Sequence, residues 1–416
     1  MDNRHPVIVI GAGIIGVCTA LALQQRGIQT LLLDRKPPAS ETSYGNAGII
    51  ALNAVLPLNQ PGLFAELPDL LTNRSPALRY HPGFVLRHAL LFSHFLWHAL
   101  PAHTPPRIQA THQLLQHSQQ IHQAWLQQAG QSAQLREGGW LKLFRSEKQF
   151  QQTRAEQQAM QQQGVRHQVL DPAAIRELEP HIQPVFARGL LINDILSSAN
   201  PAAVARTYAE QFTACGGQFL QQEVTALRPA AAGGWQVATS RQRLHCEQVV
   251  VALGPWSKAL LHTLGLHLPL FYERGGHRHL QPLPDQSIRR PLYDAAGAYV
   301  ITPMQQGLRI TCGVELNARD APYRSVQLDQ AETLARTAFP VGARTTDADW
   351  MGCRPTLPDS LPAIGPTRLP GLWLNTGHQH LGFSTAPGSA ALLAALLCEE
   401  TPAIAAEPFA PARFGL

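Results

Sequence analysis

The chain has 416 residues, beyond the roughly 250–300 at which single hydrophobic cores stop growing, so two domains are expected. Charged residues make up 15% and hydrophobic residues 45% of it, a composition that excludes a disordered chain. The net charge of +5 comes from scattered Lys and Arg with no basic stripe, which argues against a nucleic-acid binder.

Eighteen histidines show no metal-ligand spacing, and the six cysteines lie far apart with no C-x-x-C. No metal site and no disulfide framework is therefore expected. The first strand begins within seven residues of the start, leaving no room for a secretion leader, and a cytoplasmic setting is the expectation.

Val7 to Ile10 is an unbroken β-branched run, as in a strand buried on both faces of a parallel sheet. Gly11, Gly13 and Gly16 follow as G-x-G-x-x-G: the first turns the chain, the second admits a pyrophosphate, and the third lets helix and strand pack closely. A second apolar run, Thr30 to Leu33, ends in Asp34, about 20 residues on, where an acid reaches a ribose hydroxyl. Strand, glycine turn, helix, strand and acid define a Rossmann-like unit with the phosphates on the helix N-terminus.

Further along, "HPGFVLRHALLFSHFLWHAL" (81–100) carries two apolar rows at helical spacing, Phe84, Leu91, Phe95 and Val85, Phe92, Leu96. A helix packed on its own domain and an interfacial helix both fit; Arg87 and the histidines break the run too often for a spanning one. The Gln- and His-rich stretch from Ile108 onward reads as a long surface helix, "GGWLKLFRS" (138–146) as a half-buried strand, and "QFQQTRAEQQAMQQQG" as a helix stopped by Gly164. Asn200 and Pro201 open a helix with an N-cap, a proline in its first turn and a glycine stop.

"QFLQQEVTALRP" then reads as one strand, and "GWQVATS" and "RLHCEQVVVALG" as two more, so nucleotide-domain elements return after a long insertion. "FYERGGHRHL", "GAYVITPM" and "LRITCGVEL" alternate as strands of a largely antiparallel sheet between 265 and 345. The chain closes on a strand, "LPGLWLNTGH", and an apolar helix, "PGSAALLAALLCEE". These elements predict a discontinuous nucleotide-binding domain (1–50, 195–264 and 346–416) and an α+β substrate domain (51–194 and 265–345).

Four stretches in this order, the opening fingerprint, "ETSYGNAG", "VVVALGPWS", and "GCRPTLPDSLPAIG" with "GHQHLGFSTAPG", resemble the FAD-dependent D-amino-acid oxidase family. Within it the bacterial D-amino-acid dehydrogenases are the most similar. The resemblance implies a glutathione-reductase-like FAD domain, with Asp34 at the adenosine ribose, Gly11, Gly13 and Gly16 at the diphosphate, and Arg35 among the cofactor-binding residues. Ser43, Asn46, Ala47 and Gly48 match the loop passing the flavin, Val224 the residue whose backbone meets adenine, and Gly254 and Trp256 the second nucleotide motif. Gly377, His380, Leu381, Gly382 and Ser384 would line the pyrimidine side of the isoalloxazine.

Arg354 matches the family's carboxylate-binding Arg, a role suited to a bidentate guanidinium. Tyr299, His277 and Arg278 are further candidates for contact with the substrate. The implied reaction is oxidative deamination of a small amino acid, a D-amino acid first: hydride passes from the α carbon to FAD, and the imino acid hydrolyses to a 2-oxo acid and ammonia. Oxidation of a secondary amine such as proline, hydroxyproline or an N-methyl glycine is the alternative, and a scaffold that binds a nucleotide without catalysis is the competing class.

The electron acceptor stays open between oxygen and a quinone or respiratory carrier; the resemblance tips the 81–100 segment toward contact with the inner face of the cytoplasmic membrane. Three departures stand out. Gly352 occupies the position where some relatives attach flavin through a Cys, with Cys353 one place later, so noncovalent FAD is expected. "RGGHRHL" differs from the usual pocket strand, and Ile49 and Ile50 follow the flavin loop where polar residues are common.

Overall fold

Two sheets organise the chain in the computed structural model, which describes residues 4–52, 57–60, 62–346 and 348–416. The first, eight-stranded among the described residues, is centred on Arg4–Ile10, whose Val7 to Ile10 are buried on both faces as the unbroken apolar run requires. Thr30–Asp34 and Gln218–Gln221 continue it in parallel on one side, Arg243–Val251 and Leu372–Thr376 on the other.

Antiparallel Val224–Pro229, Trp235–Thr239 and Ala363–Pro366 complete it. The stretch read as one strand, "QFLQQEVTALRP", is therefore two: Gln218–Gln221 pairs with Thr30–Asp34, and after Gln222 and Glu223 the chain changes partner to the Trp235–Thr239 hairpin.

On one face the helix Ile14–Gln24 is buried between Pro201–Ala214 and Gly382–Leu397, and Thr104–Gln128 packs on the latter. Ala110, Leu114, Ser118, His122, Trp125 and Leu126 of Thr104–Gln128 are buried in this core. The expected surface helix is thus half an interior one. Its buried Ser118 accepts from Gly388 N at 3.2 Å, and His122 meets Tyr208 Oη at 2.6 Å and Phe383 O at 2.8 Å, so polar residues serve an inner face.

The second sheet, ten-stranded among the described residues, is built on the long strands Phe271–Pro282 and Gly307–Leu316. Most pairings are antiparallel, but Leu78–Tyr80 and Trp140–Phe144 join in parallel. Trp350–Thr356 pairs along Phe271–Pro282. Trp350–Thr356, read from sequence with 346–416, thus pairs in the second sheet, and Thr104–Gln128, read with 51–194, packs on the core beside the first sheet.

Candidate active site

The glycine loop holds the geometry its sequence requires. Gly11 sits at φ +109°, and a Cβ on Gly16 would lie 1.7 Å from Gly11 O, so helix and strand approach closely only with glycine there. Asp34 accepts from Ala12 N (2.7 Å) and Lys36 N (2.9 Å), which fixes its carboxylate beside the loop with lone pairs left for hydroxyl donors. Ser43 Oγ accepts from Ile14 N at 3.0 Å, at the first turn of the helix, where the diphosphate of a dinucleotide would be received.

From this loop a cavity of about 690 Å³ runs to the second sheet. Gly11, Gly13, Asp34, Arg35, Ser43, Val224, Gly254 and Trp256 are on its wall at the nucleotide domain. Asn46, Ala47, His380, Leu381, Gly382, Ser384 and Arg354 follow it inward. Arg35 stacks over Trp256 at 4.9 Å and pairs with Glu41 at 3.2 Å. Gly16, Gly48 and Gly377 lie behind the wall and shape the backbone of the elements that form it.

The loop 42–48 is held from the second sheet. Buried Arg309 donates from Nη1 to Asn46 O (2.6 Å) and Tyr44 O (3.1 Å), and burial pushes its pKa down to about 10. Ser384 Oγ donates to Ile49 O (3.1 Å) and accepts from Ala51 N (3.0 Å), tying the start of the closing helix to the strand after that loop. The apolar Ile49 that departs from the family pattern lines the cavity.

Arg354 is half-buried on the wall. Its Nη1 donates to Gly313 O at 3.3 Å, and among the described residues it makes no ion pair. The neighbouring buried guanidiniums differ: Arg274 is bound to Glu315 at 2.8 Å, and Arg278 to Asp349, Glu332 and Asp329 at 2.7, 2.6 and 2.9 Å. Arg354 therefore presents to the cavity a guanidinium without a direct ion pair, with Glu273 opposite it on the neighbouring strand.

Three candidates from the sequence are placed elsewhere. Tyr299 is fully buried on the far face of its strand, packed on Phe339 and donating to Asp294 Oδ2 at 3.1 Å; only its neighbours Ala298 and Val300 reach the cavity. Burial and Asp294 push its phenol well up. Arg278 faces the same interior, because successive strand residues point to opposite faces.

His277 is on the cavity face but covered: its ring stacks on Trp350 with centroids 4.8 Å apart, and burial, reinforced by Arg309, pushes its pKa down to about 2. It is a neutral packing partner rather than a wall residue.

Trp350 also settles the space at Gly352, where a Cβ would lie 2.1 Å from the indole. A cysteine side chain has no room there. Cys353 is off the cavity wall, and burial pushes its thiol up to about 12, which leaves almost no thiolate for attachment to a cofactor. The donor set matches FAD: an acid for ribose hydroxyls, a glycine loop and helix start for phosphates, and a small-residue loop entering a second helix beside the ring system.

The wall includes residues that sequence reading missed. Trp140, Tyr293 and Val300 form an apolar side, with Lys142 Nζ over the first two rings at 5.1 and 5.8 Å and paired with Glu156 at 2.5 Å. Glu273 and His378 also reach it. The signal for Glu273 was an acid inside an otherwise apolar and basic strand, one residue short of the Gly275–Gly276 pair.

A family model described as FAD dependent oxidoreductase (DAO) matches residues 6–396. A protein named D-amino acid dehydrogenase from Rhizobium johnstonii is 32% identical over 98% of this chain and 100% of its own length. One named D-amino-acid oxidase from Bradyrhizobium diazoefficiens is 27% identical, with 99% of each chain covered. Among solved structures, glycine oxidase from Geobacillus kaustophilus superposes with a TM-score of 0.75 at 20% identity, covering 98% of both chains.

Proposed function

The chain belongs to the DAO family of FAD-dependent oxidoreductases, and on that premise we propose that it oxidises a small amino acid, a D-amino acid first, at the α carbon. The observation that carries this reading is Arg354, a guanidinium without a carboxylate partner on the cavity wall. A substrate carboxylate completes its coordination, and its planar fork fixes the orientation of the attached carbon.

FAD, when bound, supplies the two-electron acceptor. The chain supplies the rest: Arg354 holds the carboxylate, and Trp140, Tyr293 and Val300 favour an uncharged side chain. Water admitted afterwards hydrolyses the imino acid to the 2-oxo acid and ammonia. The relatives named for D-amino acids support that enantiomer, while the apolar wall keeps a cyclic secondary amine as the second substrate class.

Anaerobic addition of D- and L-amino acids, glycine, proline and hydroxyproline to the yellow protein tests this. Bleaching by a D-amino acid at lower concentration than by its L-enantiomer is the expected result; no bleaching by any amine sinks the reading.

We further propose that the Pro82–Arg87 and Ala89–His98 helices rest on an anionic lipid surface, with a quinone or respiratory carrier reoxidising the flavin. Phe84 is buried and Phe92 and Phe95 pack on Phe271, yet Leu86 and Leu90 on the other side are 79% and 85% exposed, with Leu71 at 74%. No Asp or Glu stands between Asp69 and Glu137, and Arg74 and Arg87 are exposed. Exposed leucines on a segment whose charged residues from 70 to 136 are all basic suit anionic head groups.

Gln379–Leu397, the one segment long and apolar enough to span a bilayer among the described residues, is a core helix. Flotation with liposomes containing anionic lipid should carry the protein upward. Protein left at the bottom, with rapid peroxide formation, would make it a soluble oxidase.

A further inference from the structure

Glu273 stands directly across from Arg354 in the pairing of Phe271–Pro282 with Trp350–Thr356. Opposed residues in such a pair share a face, with Cβ atoms about 4.5–5.5 Å apart. Both line the cavity. Opposite charges so placed usually close an ion pair, yet none of 4 Å or less joins these two among the described residues.

They lean apart instead. Arg354 lies over Gly275, where a Cβ would be 2.5 Å from Nη2, and reaches Gly313 O; Glu273 Oε1 accepts from Thr356 Oγ1 at 2.7 Å. The second carboxyl oxygen, Oε2, is buried without a hydrogen-bond partner, on a residue only 3% exposed. A buried acceptor left unpaired is unfavourable, so the position is one where a donor is missing.

An unpaired cation and an unpaired anion facing one cavity are complementary to a zwitterion. Resting on the amino-acid reading of the site, we propose that Glu273 receives the substrate's ammonium group and takes one proton from it while Arg354 holds the carboxylate. The ammonium N–H bond breaks, the proton goes to Oε2, and a neutral amine and a carboxylic acid result. FAD, when bound, would supply the two-electron acceptor for the α hydrogen and its electron pair, and the lone pair freed by Glu273 would favour that loss and the iminium it leaves.

The surroundings favour the transfer. Burial raises the carboxyl's proton affinity, and the Thr356 hydrogen bond and the Arg354 charge only partly offset it. Of the other charged groups around, Arg274 is engaged by Glu315, Lys258 donates to Leu270 O at 3.0 Å, and His378, held neutral by burial with its pKa near 3, faces the same cavity. His380, also on the wall, is held neutral by burial and by the Arg354 charge with its pKa near 4, while Asp34, Glu41 and Glu223 line the nucleotide end, so Glu273 is the carboxylate placed opposite Arg354.

The test is the pH dependence of kcat/KM for D-alanine, or for the best amine of the panel, with an artificial electron acceptor. In the wild type, transfer inside the complex keeps kcat/KM level between the carboxyl's pKa and that of the substrate ammonium. Glu273→Gln must wait for the neutral amine to bind, so its kcat/KM should climb tenfold per pH unit. The deficit should exceed 100-fold at pH 7 and nearly vanish near pH 10.

Propanoate, which has the carboxylate but no amine, should perturb the flavin spectrum of both proteins with the same Kd. A loss equal at both pH values, or an equal weakening of propanoate, would make Glu273 a structural residue. If Glu273→Gln fails to hold FAD, the wild-type profile still decides: a tenfold climb per pH unit there means that no group in the site takes the proton. A wild-type protein that no amino acid bleaches sinks the amino-acid reading and this assignment together, whereas a level wild-type profile matched by Glu273→Gln sinks this assignment alone.

Discussion

At the scale of single residues, the proposed substrate role of Arg354 rests on the absence of a direct ion pair among the described residues. A lysine there would keep the charge but lose the two-pronged geometry, and its shorter reach would leave the carboxylate loosely held. Arg354→Lys should retain FAD, seen as an unchanged visible spectrum, and lose about 2–5 kcal/mol in kcat/KM, the range for breaking a buried charge pair. An unchanged kcat/KM would remove Arg354 from the site. The flavin itself should be noncovalent, since Gly352 lies under the Trp350 indole and Cys353 is a buried thiol off the wall. Acid precipitation should leave the yellow colour in the supernatant, and flavin mapped to Cys353 in the pellet would overturn that expectation. The placement of Gly11, Asp34 and Arg354 on the cavity wall was legible because loop geometry and guanidinium chemistry are carried by short motifs. Tyr299 and Arg278 were not, because a strand's two faces cannot be told apart until one knows which side is covered. Here the interior packed on Phe339 takes Tyr299, and three carboxylates take Arg278.

At the scale of elements, local punctuation was the reliable signal. Asn200 caps the Pro201–Ala214 helix by accepting from Ala203 N at 3.0 Å, with Pro201 in the first turn, as the sequence implied. Removing that acceptor leaves an N–H at the helix start without its partner. Asn200→Ala should cost about 1 kcal/mol by denaturant unfolding, with Asn200→Asp close to neutral because its carboxylate still accepts and suits the helix dipole. Equal losses from both would mean that the contact to Gln305, at 2.7 Å from the Asn200 amide, matters more than the cap. What failed was inferring exposure from polarity. Ser118 and His122 lie on the buried stripe of Thr104–Gln128 because Gly388 N, Tyr208 and Phe383 O offer them hydrogen bonds from elements distant in sequence. The 218–229 stretch failed for a related reason: strand propensity ran on through Gln222 and Glu223 while the hydrogen-bonding partner changed, and pairing partners are a tertiary property.

At the scale of the whole molecule, the return of strands to the first sheet after residue 200 was visible in the sequence, but the crossing of Trp350–Thr356 to the other sheet was not. That crossing is what builds the site, since it carries Arg354 to the cavity between sheets whose other walls come from segments hundreds of residues away. The same long-range assembly makes the fold sensitive to acid. His122 ties the Thr104–Gln128 helix to Tyr208 of Pro201–Ala214 and to Phe383 of Gly382–Leu397, and burial, partly offset by the Phe383 carbonyl, pushes its pKa down to about 4. In the unfolded chain the same imidazole titrates near 6.5. Between those values the unfolded state binds the proton and the folded state does not, so this contribution is complete above about pH 6.5 and is lost as pH falls toward 4. From pH 7.5 to 5 the loss attributable to His122 is about 2 kcal/mol, at roughly 1.4 kcal/mol per pH unit. Denaturant unfolding of the holoprotein should show it directly. His122→Gln should be less stable at pH 7.5, because it breaks the Tyr208 and Phe383 contacts, yet its stability should fall less steeply with acid, so the two curves converge by about that amount at pH 5. Parallel curves would mean that the three helices hold together without regard to the charge at their junction.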